Sequence, residues 1–380
     1  MRKIQMVDLQ MQHQKIKSEI NLAMQEVISS ARFINGPAVK AFSESLSAYL
    51  DVQHVIPCAN GTDALQVAMM ALNFQPGDEV ILPAFTYVST AEVIALLNLT
   101  PVLVDVNPDT FLIDVKKMEE ALTSKTKAIV PVHLFGQCAD MDSILKFANK
   151  HNLFVIEDCA QALGAEYYFN DGRKMKAGTI GTIGTTSFFP SKNLGCFGDG
   201  GAIFTHDYML AERLKKIANH GQSEQYRHDE IGVNSRLDTL QAAVLMIKLK
   251  YLNEYETARS KVAAFYDNAL SGHSNLVIPK RVKNSTHVFH QYTLRTNGID
   301  RDGLRKFLAE KDIPSMVYYP IPLHFQKAYA SERFKPGSLP VTEELCKTVI
   351  SLPISPEMDE EQLKHIVKSV LIFCSEHSNK

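Results

Sequence analysis

The strongest constraint on the fold is a rhythm of short apolar runs alternating with helical segments, beginning at Gly77. EVILP (79–83), PVLVDV (101–106), AIVPV (128–132) and LFVIE (153–157) are too short and too rich in branched side chains to be helices. Between them, Ser89–Asn98, Val115–Thr123 and Met141–His151 carry apolar residues at helical spacing. Apolar strands alternating with helices predict a parallel sheet covered by helices on both faces. Ligands of such sheets gather outside the carboxyl ends of the strands. Phe85 and Tyr87, His133, and Asp158 stand there. Asp158 is the most informative, because a carboxylate at a buried strand end needs a cation or several donors. The bland account is an aspartate capping the next turn. A histidine closing an apolar strand is more often a satisfied structural residue, so His133 stays outside the candidate catalytic set.

A second constraint comes from SFFPSKNLGCFGDGGAIFT (187–205). The apolar run Ser187–Pro190 delivers Lys192 into a glycine-rich turn, and a strand, Gly201–Thr205, leaves it. Burial disfavours an ammonium ion and lowers its pKa, so a lysine enclosed this way is a candidate nucleophile or imine-forming residue. The competing account is a surface lysine on a hairpin loop.

Ahead of the sheet, 13–31 has a helical stripe (Ile16, Ile20, Met24, Val27), and Asn35-Gly36-Pro37 ends it. A second helix, Val39–Leu50, leads to a short strand at His54–Pro57. The strand gives way to Asn60-Gly61-Thr62 and then to a further helix. Asn60 or Thr62 can cap it, and the free amides of such a helix start suit an anion. Beyond the lysine turn, a helix at Tyr208–Ala218 precedes a polar surface loop. The segment from Asn234 is expected to run as one long helix to Leu270. The remainder, Val288–Thr296, Arg301–Lys311, Thr348–Pro353 and Glu360–Glu376, reads as a smaller α+β unit. The expected division is 1–249 and 250–380.

Charge is nearly balanced, with 40 Lys+Arg against 42 Asp+Glu, and this argues against nucleic-acid binding. No apolar run approaches a membrane span, and the start of the chain lacks the apolar core of a signal peptide. Six scattered cysteines without a CxxC pair point to thiols in a reducing, cytoplasmic setting; neither they nor the histidines show metal-ligand spacing.

An imine-forming lysine, an acid at a strand end and an anion-ready helix start together suggest pyridoxal phosphate. That cofactor needs an amine for its aldehyde, a carboxylate at its pyridine nitrogen, a phosphate cradle and a stacking ring. Lys192, Asp158, Gly61-Thr62 with Ser187, and Tyr87 can fill these places.

The blocks CANGTDAL (58–65), PAFTYVST (83–90), VIEDCAQALGA (155–165), SFFPSKNLGCFGDGGAIFT (187–205), VNSRLDTLQAA (233–243) and YYPIPLH (318–324) resemble the DegT-type nucleotide-sugar aminotransferases, fold type I enzymes of pyridoxal phosphate. The resemblance implies an α/β large domain with a mostly parallel seven-stranded sheet between helices, plus a smaller C-terminal α+β domain. It implies that Lys192 forms the Schiff base and shuttles the proton, Asp158 pairs with the pyridine nitrogen, and Gln161 bonds the phenolic oxygen. Gly61, Thr62 and Ser187 would hold the phosphate, with Asn234 from a partner subunit, and Tyr87 would stack on the ring. Arg236, Tyr318 and Tyr319 would meet substrate in a homodimer with shared active sites. The implied reaction moves an amino group from L-glutamate to a nucleotide-linked keto sugar, for surface polysaccharide (lipopolysaccharide) synthesis. The subgroup resembled most acts on UDP-2-acetamido-2-deoxy-3-oxo-glucuronate, although it tends to carry His-Tyr where this chain has Tyr318-Tyr319. The alternatives are a 4-aminotransferase of UDP-, dTDP- or GDP-linked 4-keto-6-deoxy sugars and, more remotely, a non-catalytic regulatory protein that binds pyridoxal phosphate.

Overall fold

A computed structural model describes residues 1–377. The strands that build the large sheet are β1 (His54–Cys58), β2 (Glu79–Pro83), β3 (Thr100–Val104), β4 (Thr126–Ile129), β5 (Phe154–Asp158), β6 (Ile183–Ser187) and β7 (Gly201–Thr205). Their order is β1-β7-β6-β5-β4-β2-β3. All neighbours run parallel except around β7, which is antiparallel to both β1 and β6. The expected mostly parallel seven-stranded sheet is therefore present.

The pleat explains the two-sided cover. Ile81, Val102 and Ile129 enter one core with α2 (Pro37–Leu50), α5 (Val115–Ala121), α6 (Met141–His151) and α8 (Thr239–Leu249). Val80, Leu82, Leu103 and Ala128 enter another with α3 (Gly61–Ala71), α4 (Ser89–Leu96) and α7 (Tyr208–Ala218). Successive side chains of a strand point to opposite faces, so a strand buried on both sides must be apolar throughout.

Beyond the sheet, α9 (Leu252–Leu270), α10 (Arg301–Ala309) and α12 (Glu360–His377) pack with a three-stranded antiparallel sheet of β8 (Leu276–Val277), β9 (Tyr292–Thr296) and β10 (Val349–Leu352). The first residues of the chain reach the same core. Ile4 is buried in it, and Arg2 bonds Asp359 and the Glu357 carbonyl. Helix α1 (Leu9–Ser30) instead lays Ile16 and Ile20 on Val244 of α8.

Several local expectations change. The long helix to Leu270 is two helices, α8 and α9, interrupted at 250–251. Leu245 and Leu252 enter the large-domain core while Val262, Tyr266 and Leu270 enter the other, and a straight rod does not serve both. The strand expected from Val288 starts only at Tyr292, because Phe289 adopts a left-handed φ of 49°. The run Ser187–Pro190 is not itself a strand: β6 ends at Ser187, and Phe188 folds back to bond Gly200. Gly61 opens α3, so the cap is Asn60, whose side chain accepts from Asp63 N, and Thr62 lies inside the first turn. The polar loop after α7 contains a small hairpin, and α11 (Pro340–Thr348) was not anticipated. All six cysteines are buried and free of disulfides. Among the described residues no helix is long and apolar enough to cross a membrane.

Candidate active site

Strands β1, β6, β5 and β2 end on the same side of the sheet, and a cavity of about 820 Å³ opens there. Its wall includes Gly61, Thr62, Tyr87, Asp158, Gln161, Ser187, Lys192, Tyr318 and Tyr319. Nine residues spread over more than 250 positions thus share one space. Asn234 and Arg236 do not line it in this chain: Asn234 is exposed and Arg236 half-buried.

Lys192 follows β6 in a loop that folds on itself, with its amide bonded to the Phe189 carbonyl at 2.8 Å. Surrounding protein strips water from its amine and lowers its pKa from 10.5 to about 8, while the Asp158 charge works against the shift. A large share of this amine is neutral near pH 8, and only the neutral form is a nucleophile.

Asp158 is buried at the end of β5. Its Oδ2 accepts from Thr90 Oγ1 at 3.0 Å and its Oδ1 from Ala160 N at 3.2 Å. Gln161 is fixed on both sides. Its Oε1 accepts from Phe135 N at 2.8 Å, and its Nε2 donates to the Tyr319 hydroxyl at 3.1 Å. Tyr87 is 57% exposed, with its ring 6.2 Å from that of Tyr319, so one aromatic face is open to a flat ligand.

The helix start is built for an anion. Gly201 faces both Cys58 and Ser187 across the ladder, which brings the turn before α3 against the end of β6. A Cβ at Gly61 would stand 2.7 Å from Ser187 Cβ. Only glycine permits that approach, leaving the first amides of α3 beside the Ser187 hydroxyl.

His133 behaves as expected of a structural residue. Its Nδ1 accepts from Ala139 N at 3.1 Å, so Nε2 carries the proton toward Glu157, 2.8 Å away. Glu157 also accepts from the amides of Gly178, Ile180 and Gly181. Both side chains are fully buried and satisfied.

Sequence reasoning missed Thr90, which meets Asp158 across 68 positions, and His290 and Gln291, which line the cavity. His290 is buried beside Lys192 and Arg259, and burial holds its imidazole well below its ordinary pKa. Its Nδ1 has no hydrogen-bond partner among the described residues. The only signal for this residue was its place just ahead of an apolar strand, a position that by itself does not separate a cavity histidine from a structural one.

These residues fit pyridoxal phosphate on the structure's own terms. A desolvated amine, a carboxylate held by two donors, a helix-start cradle that a single Cβ would fill and an open aromatic face all meet in one cavity. When bound, this cofactor supplies the electron sink for amino-group transfer.

Comparison with known proteins agrees. A profile of the DegT/DnrJ/EryC1/StrS aminotransferase family matches residues 14–371. The chain is 46% identical over 372 residues to the "pleiotropic regulatory protein" of Geobacillus stearothermophilus, covering 97% of this chain and 98% of that one. It is 45% identical over 363 residues to the UDP-2-acetamido-2-deoxy-3-oxo-D-glucuronate aminotransferase of Pseudomonas aeruginosa, covering 96% and 98%. The crystal structure of S. venezuelae DesV with a ketimine intermediate superposes with a TM-score of 0.93 at 38% identity, over 97% of this chain and 98% of that one. Further relatives are named for UDP- and dTDP-linked amino sugars. The chain belongs to the DegT/DnrJ/EryC1/StrS aminotransferase family and is a pyridoxal-phosphate-dependent sugar aminotransferase.

Proposed function

We propose that the protein transfers the amino group of L-glutamate to the 3-keto group of UDP-2-acetamido-2-deoxy-3-oxo-glucuronate, in the cytoplasm, for a surface polysaccharide. The observation that carries the choice of an acidic sugar is Arg236. Its guanidinium is half-buried and has neither hydrogen bond nor ion pair among the described residues, whereas Arg213, Arg295 and Arg333 are paired with carboxylates. Arg32 and Arg305 are also unpaired among the described residues but lie exposed, whereas Arg236 is half-buried, and a half-buried guanidinium without a partner suits a bidentate carboxylate. The similarity to the Pseudomonas relative, which is named for that substrate, supports the same reading.

Within this proposal, Gly61, Thr62 and Ser187 hold the phosphate, Tyr87 covers one face of the ring, and Gln161 bonds the phenolic oxygen. Asp158 keeps the proton on the pyridine nitrogen, and Lys192 Nζ takes up and returns the proton that moves during the reaction. Tyr318 and Tyr319 contact the sugar. Asn234 and Arg236 serve the cavity of a partner subunit, so the working unit is a homodimer with shared sites. Mixing Lys192→Ala and Asn234→Ala subunits restores activity in such an assembly, since one of the two sites of a heterodimer is then intact.

The substrate test is direct. With L-glutamate as donor, the 3-keto uronate is expected to turn over, and Arg236→Leu to lower kcat/KM for it by roughly tenfold or more, the loss of a charge-assisted pair. Turnover of neutral 4-keto-6-deoxy sugar nucleotides alone would overturn the choice. That second reading draws on Tyr318, a cavity residue standing where histidine was expected for a uronate enzyme. A purely regulatory role, which the name of the Geobacillus relative brings to mind, predicts no glutamate-dependent turnover with any sugar.

A further inference from the structure

Helix α8 carries a second buried lysine that the chemistry of the cavity does not use. Lys248 is 3% exposed, and no carboxylate pairs with it among the described residues. Its Nζ donates to the Gly195 carbonyl at 2.6 Å and stands 5.5 Å from the ring centroid of Phe197. Burial lowers its pKa to about 8, and the neighbouring Cys196 thiol, itself pushed up to about 11 by burial, is neutral.

A buried ammonium without a counter-ion is costly, and a methionine would fill the same space without that cost. What the lysine adds is a donor, and the donor falls on the loop that presents Lys192. Gly195 lies three residues after Lys192. The loop between them is closed on itself by the bonds Lys192 N to Phe189 O and Cys196 N to Phe188 O, each 2.8 Å. A Cβ at Gly195 would stand 2.3 Å from the Pro190 carbonyl oxygen, so there is no slack in the turn. Gln241, two helical turns before Lys248 on the same face of α8, takes the Phe197 amide at 2.8 Å. One face of one helix therefore grips the loop at two points that do not line the cavity.

We propose that Lys248 is a positioning residue for Lys192, acting through the Gly195 carbonyl to hold the loop in the shape that aims the Lys192 amine into the cavity. The proposal is independent of which sugar is aminated, because its test uses glutamate and cofactor alone.

The experiment compares the full-length wild type with Lys248→Met and Lys248→Gln, each with and without pyridoxal phosphate. Amide hydrogen exchange in the segment 188–198 is expected to rise by roughly tenfold or more in Lys248→Met, the loss of a hydrogen bond to a charged group. Lys248→Gln, a shorter donor, is expected to fall between. Cofactor affinity weakens in the same order. The pH midpoint of the bound cofactor's visible band moves, and the limiting single-turnover rate constant of the glutamate half-reaction falls while its half-saturating glutamate concentration holds. A packing role predicts otherwise: exchange raised everywhere or nowhere, with an unmoved midpoint, and that result overturns the proposal. If Lys248→Met does not fold, Lys248→Gln decides alone. Failure of both to fold also overturns it, since losing one local tie leaves the rest of the core intact.

Discussion

Thr90 Oγ1 donates to Asp158 Oδ2 over 3.0 Å, and this bond joins the first turn of α4 to the carboxyl end of β5. Thr90 is fully buried, so its hydroxyl has been taken from water and committed to that carboxylate. With the Ala160 amide on the other oxygen, Asp158 is oriented before any ligand arrives.

Thr90→Val keeps the volume and removes the donor. A hydrogen bond to a charged group contributes about 1.5–3 kcal/mol. The expected outcome is a roughly tenfold or greater loss in kcat, with the cofactor still bound; steady-state kinetics with glutamate checks it. Unchanged kcat would show that Asp158 needs no help from Thr90.

The low pKa of Lys192 has a direction that can be measured. Burial favours the neutral amine, so its charge is lost near pH 8 rather than near 10.5. Cofactor incorporation into apo-protein should therefore accelerate with pH up to about 8 and then level off. Stopped-flow absorbance reads this rate. A rate still climbing at pH 10 would contradict the buried setting, and Lys192→Ala should show no covalent incorporation at all.

Gly61→Ala tests the cradle. The added methyl meets Ser187 Cβ at 2.7 Å and Ser187 Cα at 3.3 Å, so α3 and β6 must move apart to admit it. Fluorescence titration of the apo-protein should show cofactor affinity reduced by about tenfold or more, the cost of displacing a helix-start anion site by ~1.4 kcal/mol. Native affinity would mean that the phosphate lies elsewhere.

Glu256 offers a pH-dependent stability change away from the cavity. Burial against Gly164 raises its pKa from 4.5 to about 7, with Lys176 and the Tyr49 hydroxyl partly offsetting and Glu166 reinforcing. A carboxyl raised in the folded state favours folding while it is protonated. The contribution is complete below about pH 4.5 and disappears as pH rises through about 7. Glu256→Gln should match the wild type near pH 5 and be more stable at pH 8, by on the order of 1–3 kcal/mol. Thermal melts at the two values decide it, and equal melting differences at both would remove Glu256 from consideration.

Much of this protein was legible in its residues because the signals are local. Short continuous apolar runs between helical stretches point to a parallel sheet covered on both faces, and the C-terminal ends of its strands fix where Tyr87 and Asp158 must stand. Gly61 and the glycines around Lys192 mark turns that no other residue fits so closely. The conformation at Phe289 and the break between α8 and α9 were not legible, because both are imposed by elements distant in the chain.

The sequence by itself determined the class of fold and marked Lys192 and Asp158 as candidates, since burial and strand-end position follow from nearby residue types. Only the tertiary structure decided which groups hold them in place: Thr90 at Asp158, Phe135 and Tyr319 at Gln161, and Lys248 at the Lys192 loop. Each is a hydrogen bond between residues far apart in sequence. Such bonds depend on angles and distances of a few tenths of an ångström set by packing, and no local pattern of residue types encodes them.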